Sequence, residues 1–201
     1  MSPRILTANG HSFDLQYGNQ TQVVIADIAH ALAQINRFTG HCRRPYSVAE
    51  HSLLVAEIVD RLLTHDIHAC LAGLLHDAHE AYIGDLSSPA KSVVGDAWHV
   101  LEHRMERTVR SAFALHGAAF TWQRVVKQAD LIALATERQQ LMPASPGLWE
   151  CLVHVTPVDW VDLMAPERCT STWADWRDRF TSQYQTLDFA RNAALFPVQQ
   201  P

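Results

Sequence analysis

Glycine and proline are scarce, 8 and 9 among 201 residues, and neither recurs at a fixed interval. Collagen-like and linker-like architectures are thereby excluded. Cysteine is scarcer still, with four residues at 42, 70, 151 and 169 and no C-x-x-C. That argues against a zinc ribbon or a dithiol redox motif, and the irregular spacing fits reduced thiols in a cytoplasmic protein. No apolar run approaches the roughly 18 residues of a membrane span. The opening stretch MSPRILTANGHSFDL lacks a basic segment followed by an apolar one, so no signal peptide is expected. Positive charge is also short: 16 Lys and Arg against 21 Asp and Glu leave −5, the wrong sign for a protein that coats nucleic acid. The phosphate loops G-x-G-x-x-G and G-x-x-x-x-G-K are missing.

What is present is a globular composition, 48% hydrophobic, with an excess of histidine, 12 in all. A chain of this length fits one domain and can bury a full core without staples. Asn9-Gly10, between two short β-prone runs at 4–15, predicts a hairpin. After Ile25 the period becomes helical. Ile28, Ala29, Leu32 and Ile35 form one face, ending near Gly40. Ser47 and Glu50 make a capping box for the next helix, whose stripe runs Val48, Val55, Ile58, Val59, Leu62. A third helix is predicted from Asp66 to about Tyr82. A loop over 83–95 follows, with one turn of helix at most. Helices over about 96–116 and 121–141 come next, then an irregular stretch over 143–157. The last helix begins near Ser171 and carries Trp173, Trp176, Phe180, Tyr184 and Leu187. The expectation is an all-α single domain over 1–201 with a small N-terminal β-hairpin, a core at 25–142 and a C-terminal helical extension at 170–190. The aromatic stripe of that extension is read as packing, against the domain or a partner subunit.

The informative residues are polar ones where a helix should be greasy. His51 sits on the stripe of its helix, three after Val48 and four before Val55. Asp130 lies four after Val126 and three before Ala133. A carboxylate in such a place neutralises, pairs or binds a cation. The plainer alternatives are a core histidine on a backbone carbonyl and a salt bridge from Asp130 to Lys127 or Arg138. Between the two lies LLHDAHE, with His76 and Asp77 directly after two leucines and Glu80 one turn beyond His76. Adjacent helical residues are about 100° apart, so His76 and Asp77 can share an ion only at the edge of the core. Two imidazoles and two carboxylates from three helices make an N/O metal site in a bundle interior. The order H-x-x-H-E matches no metalloprotease motif.

The series His51, His76-Asp77, Asp130 resembles the H…HD…D signature of the HD-domain metal-dependent phosphohydrolases. The segments RPYSVAEHS, GLLHDAHEAYIGDLSSPAK and KQADLIALATERQQLMP are similar to the 5′-deoxynucleotidase-like branch and its phage relatives acting on dATP. The likeness spans roughly residues 25–142. It implies an HD-type helical bundle in which His51, His76, Asp77 and Asp130 hold one divalent ion, with Mn²⁺, Co²⁺, Fe²⁺, Ni²⁺ and Zn²⁺ all compatible with the donor set. It also implies that Glu80 and Asp85 act near the attacking water. Arg37-Phe38 match the arginine-aromatic pair that precedes the first metal histidine in that branch. Such an ion acidifies bound water and polarises a phosphoryl oxygen. Arg37, Arg43, Arg44 and Lys91 are the candidate phosphate contacts, Arg37 foremost, with Arg43-Arg44 read as a solvated pair. Phe38 is a candidate surface for a base. The implied partner is a small-molecule nucleotide, with neither nucleic acid nor membrane, and relatives of this kind are often homo-oligomers. The expected activity is removal of the 5′-phosphate from (deoxy)nucleoside monophosphates. The same site acting on dATP or a similar triphosphate is one alternative, and a non-catalytic nucleotide- or metal-binding HD sensor is another.

Overall fold

Apolar residues three and four apart dictate most of the chain. The structure, a computed structural model, describes residues 2–144, 147 and 149–195. Arg4–Leu6 (β1) and Ser12–Asp14 (β2) pair antiparallel, with Ile5 opposite Phe13. Among the described residues this hairpin is the only sheet. Its five-residue connection turns through Gly10 at φ 82°. Ten α-helices follow among the described residues: α1 Ile25–Leu32, α2 Val48–Leu63, α3 Ile67–Leu74, α4 Glu80–Ile83, α5 Ser88–Val94, α6 Asp96–Ala112, α7 His116–Thr121, α8 Gln123–Leu141, α9 Pro166–Thr170 and α10 Trp173–Leu195. The fold is all-α with a small N-terminal hairpin, as the patterning predicts.

Helix α2 is the central element. Ser47 Oγ accepts from the Glu50 amide at 3.1 Å and fixes its start. Helix α3 packs against α2 closely enough that a Cβ on Gly73 would come within 3.1 Å of Val59 Cγ2. One apolar cluster gathers Phe13, Ile28, Leu32, Val48, Leu71, Leu74, Met105, Val109, Trp176 and Phe180. A second joins α2 and α3 to α8 through Leu54, Val55, Ile58, Val59, Cys70, Ala129, Ala133 and Leu141. His51 lies on the side of α2 that faces α8, within reach of Asp130 and Glu137. The α10 stripe packs on its own domain: Trp176 and Phe180 are buried, and Tyr184 meets Phe113 edge-on at 5.5 Å.

Helix α9 is not among the expected elements, α10 runs past 190 to Leu195, and four other element boundaries differ from the sequence expectation. Helix α1 stops at Leu32, and the chain then forms a short 3₁₀ segment, Arg37–Gly40, with Phe38 and Thr39 in the left-handed region at φ 53°. The helix predicted to Tyr82 breaks after Leu74 into turns and resumes at Glu80. Residues 88–94, expected as loop, are helix α5, begun by Pro89 near its N-terminus, where a missing amide costs nothing. The predicted 96–116 helix ends at Ala112, and α7 occupies 116–121. All four cysteines are free thiols. Burial pushes the Cys42 thiol up to about 11 and Cys70 to about 12. Among the described residues no helix is long and apolar enough to cross a membrane.

Candidate metal centre

His51 comes from the first turns of α2, His76 and Asp77 from the turns after α3, and Asp130 from the middle of α8. His51 is fully buried, whereas the His76, Asp77 and Asp130 side chains are 13%, 18% and 21% exposed, so the set opens to solvent on one side. His51 Nε2 lies 3.3 Å from His76 Nε2, 3.6 Å from Asp77 Oδ2 and 3.4 Å from Asp130 Oδ1. His76 Nε2 lies 3.0 Å from Asp77 Oδ2. Ligand atoms about 2.1 Å from one ion sit about 3.0–3.4 Å apart, whether in octahedral or tetrahedral array. The observed separations fall at or near that interval. His51, His76 and Asp77 each place a donor atom within 4.8 Å of the other two and can hold a metal ion. Asp130 is not one of that trio. It meets the set on the His51 side, and its Oδ2 accepts from Lys127 Nζ at 2.9 Å. The salt-bridge alternative and the site are therefore both present in one carboxylate.

The tautomers follow from the partners on the far side of each ring. His76 Nδ1 is 2.7 Å from the Gly73 carbonyl, which can only accept, so Nδ1 carries the hydrogen. His51 Nδ1 donates to Glu137 Oε1 at 2.5 Å. Burial alone would raise the Glu137 carboxyl. The Arg37 guanidinium, His51 and the Tyr46 hydroxyl outweigh it and hold it below the usual carboxylate range. Both rings thus turn Nε2 toward the centre. Burial and Arg37 act to lower the His51 pKa, and Glu137 and Asp130 overcome them, carrying it to about 9. Asp77 and Asp130 are likewise held well down, against their burial, by the neighbouring imidazoles.

The remaining sequence candidates are placed as follows. Glu80, at the start of α4, is buried, and its Oε2 has no hydrogen-bond partner. Burial, then Asp77 and Asp85, push its carboxyl up to about 10. Asp85, part-buried after Gly84, is also raised, by burial first and by Asp77, against the pull of Arg37 and Lys91. Arg37 does not stand free at a helix end. Its Nε and a terminal nitrogen donate to Glu137 Oε2 at 3.2 and 3.0 Å, and the other terminal nitrogen is 3.8 Å from Asp77 Oδ2. Phe38 is part-buried beside Trp149, with ring centroids 6.0 Å apart. Lys91 is already paired, its Nζ 2.5 Å from Glu102 Oε1, and His79 first and then Lys91 hold that carboxyl down at about 2. His79 is buried, not solvent-facing, and its Nε2 lies 3.7 Å from Glu102 Oε1, beyond hydrogen-bond distance but close enough to act on that carboxylate. Arg44 corrects the solvated-pair expectation. It is buried and forks onto Glu50 at 2.7 and 2.8 Å, while Arg168 reaches the same carboxylate at 2.8 Å. Arg43 is exposed.

Sequence reasoning missed Glu137. It is fully buried and touches His51, Tyr46 and Arg37. The signal was available, since Glu137 is seven residues after Asp130 and so on the same face of α8.

No family model matches the chain. It is 35% identical over 148 residues to the protein named "Uncharacterized protein YfdR" of Escherichia coli, covering 74% of this chain and 78% of that one. The chain belongs to the YfdR family. A second relative, "Uncharacterized protein RCAP_rcc00048" of Rhodobacter capsulatus, is 35% identical over 137 residues, 66% of this chain and 70% of its own. Neither name states an activity, so function rests on the geometry of the site.

Proposed function

We propose that the protein is an HD-type metal-dependent phosphohydrolase that removes the 5′-phosphate from (deoxy)nucleoside monophosphates. One observation carries the reading: two imidazoles with their Nδ1 hydrogens committed elsewhere aim their Nε2 atoms at each other across 3.3 Å, with Asp77 and Asp130 oxygens alongside. Lone pairs and carboxylates gathered in this way repel one another unless they share a cation, either a proton, as the raised His51 pKa records for the ion-free cluster, or a metal ion in its place. His51, His76, Asp77 and Asp130 would hold it. A divalent ion so held supplies a Lewis acid for a phosphoryl oxygen and acidifies water toward neutrality.

The chain's own residues do the rest. Glu80 offers an unpartnered, buried carboxyl oxygen at the start of α4, four residues after His76. It takes the proton of the attacking water as the new P–O bond forms and the ester P–O bond breaks, and delivers that proton to the departing 5′-oxygen. An ion held by His51, His76, Asp77 and Asp130 would oppose the burial that raises Glu80 and bring that carboxyl toward its working range. Asp85 lies in the same field and orients the water. The terminal nitrogen of Arg37 not engaged by Glu137 faces the cluster and engages the phosphate. Phe38 and Trp149 form an aromatic pair against which a base can stack. Lys91 is neutralised by Glu102 and is the weaker phosphate contact. A pure binding module would not need a buried unpartnered carboxyl beside the donor set.

The test is metal analysis of the purified protein, followed by product assays on dAMP and dATP with Mn²⁺, Co²⁺ and Mg²⁺. Orthophosphate from dAMP supports the reading. Triphosphate or pyrophosphate from dATP alone reassigns the substrate, and no turnover with a loaded site returns the chain to a sensor role.

A further inference from the structure

Glu137 contacts both halves of the proposed site at once. Its Oε1 accepts from the His51 Nδ1–H at 2.5 Å and from the Tyr46 hydroxyl at 3.0 Å. Its Oε2 accepts from Arg37 Nε at 3.2 Å and from a terminal Arg37 nitrogen at 3.0 Å. The carboxylate is fully buried, and Arg37 is only 11% exposed. With that edge of the guanidinium spent, the one terminal nitrogen left over is the one 3.8 Å from Asp77. The same group therefore fixes which nitrogen of His51 faces the cluster and which edge of Arg37 faces it. Two donors of one guanidinium edge converging on a single buried oxygen permit only a narrow range of orientations.

We infer that Glu137 is a positioning residue that ties cation binding at His51 to anion binding at Arg37. The inference rests on the phosphohydrolase reading above. It asks for a carboxylate and for this length of side chain. Glutamine has one accepting atom and one donating group. If its oxygen serves His51, its amide hydrogens oppose the Arg37 donors; if it serves Arg37, they oppose His51 Nδ1–H. Either orientation breaks one half of the grip, while shape and volume are kept.

The experiment compares wild type with Glu137→Gln. Co²⁺ binding is followed by calorimetry and by the visible Co²⁺ spectrum, and inorganic phosphate is then titrated into the Co²⁺-loaded proteins. The expected result is a tenfold to hundredfold loss of Co²⁺ affinity in the variant, about the range for removing an outer partner of a ligating histidine, with an altered spectrum and weaker phosphate binding. A variant that melts earlier yet binds Co²⁺ and phosphate as wild type does would show a merely structural role and overturn the inference, leaving the metal reading intact. If wild type itself binds no Co²⁺, the metal reading fails and takes the inference with it. A measurement on wild type guards against a variant that does not fold. Histidine-¹⁵N-labelled, Zn²⁺-loaded protein should show two slowly exchanging imidazole Nδ1–H signals, the one bonded to Glu137 shifted far downfield. Absence of the downfield signal overturns the inference.

Discussion

His51 and His76 face each other through their Nε2 atoms at 3.3 Å, and each ring is anchored from behind, one by a carboxylate and one by the Gly73 carbonyl. An anchored ring cannot rotate away from its neighbour without breaking its rear hydrogen bond. The donor geometry is therefore built in advance of any ion, so that little ordering is left for binding to accomplish.

The first prediction concerns Asp77, which completes this arrangement at 3.0 Å from His76 and 3.6 Å from His51. Asp77→Asn keeps the shape and removes the charge. The side chain is near the surface of the site, so the fold should persist. Bound metal after gel filtration is expected to fall at least tenfold, and phosphate release to fall with it. A variant that retains its metal and turns over at the wild-type rate would remove Asp77 from the ligand set.

The second prediction concerns the buried Arg44–Glu50 pair. Glu50 is fully buried and is gripped by Arg44 from within and by Arg168 from α9. Removing one partner of a buried pair strands the other charge, which costs about 3–5 kcal/mol. Arg44→Ala should show a loss of that size in urea unfolding. Arg168 is 21% exposed, so Arg168→Ala lets water reach the carboxylate and should cost less, about 1 kcal/mol. Equal losses would contradict this ranking.

How much of this was legible in the sequence depends on whether the cause was local. His51 and Asp130 were readable because a polar residue on an apolar helical stripe is anomalous within its own window. Glu137 obeys the same rule, seven residues past Asp130, yet Arg138 and Gln139 beside it make the segment read as a solvated helix end. Arg44 was misread because its partners are Glu50, across a helix start, and the Leu163 carbonyl, 119 residues further along the chain. The break after Leu74 is preceded only by Gly73, which lies within α3 and packs against Val59 rather than taking a left-handed cap, so it does not announce the end of the helix. The sequence LLHDAHEAY is a good helix by propensity, and packing overrides that preference to bring His76 and Asp77 onto His51. The early stop of α1 is similar, since nothing in Arg37-Phe38-Thr39 favours two consecutive left-handed residues.

The third prediction concerns the hairpin's attachment and its pH dependence. Asp27, buried in the first turn of α1, accepts from the Asn9 amide at 2.8 Å and from Asn9 Nδ2 at 2.9 Å, with His11 Nδ1 at 3.2 Å. Burial opposes ionisation, but the contacts from Asn9, Thr7 and His11 outweigh it and lower the carboxyl's pKa. A group depressed in the folded state stabilises the fold at pH above its ordinary value of about 3.9, and this contribution fades as pH falls through the lower folded value. Asp27→Asn should cost about 1–3 kcal/mol at neutral pH, because an amide hydrogen then meets a donor. The gap between wild type and variant should stay constant above about pH 5 and narrow in acid. Chemical denaturation across pH 3–7 reads it directly. A gap that widens in acid would reverse the assigned sign.

The last prediction separates binding from chemistry at Glu80. Its Oε2 is buried without a partner, and it follows Asp77 by three residues without belonging to the trio that can hold an ion. Glu80→Gln keeps volume and hydrogen-bonding capacity but cannot carry a proton. Loss of a positioned acid–base group lowers turnover by about 10²–10⁴-fold. kcat should fall by that amount while metal content and substrate KM stay near wild type, since no ligand and no phosphate contact has been touched. If kcat is unchanged, the proton passes through Asp85 instead. That group is also raised by burial and by Asp77, and Asp85→Asn should then show the deficit assigned here to Glu80.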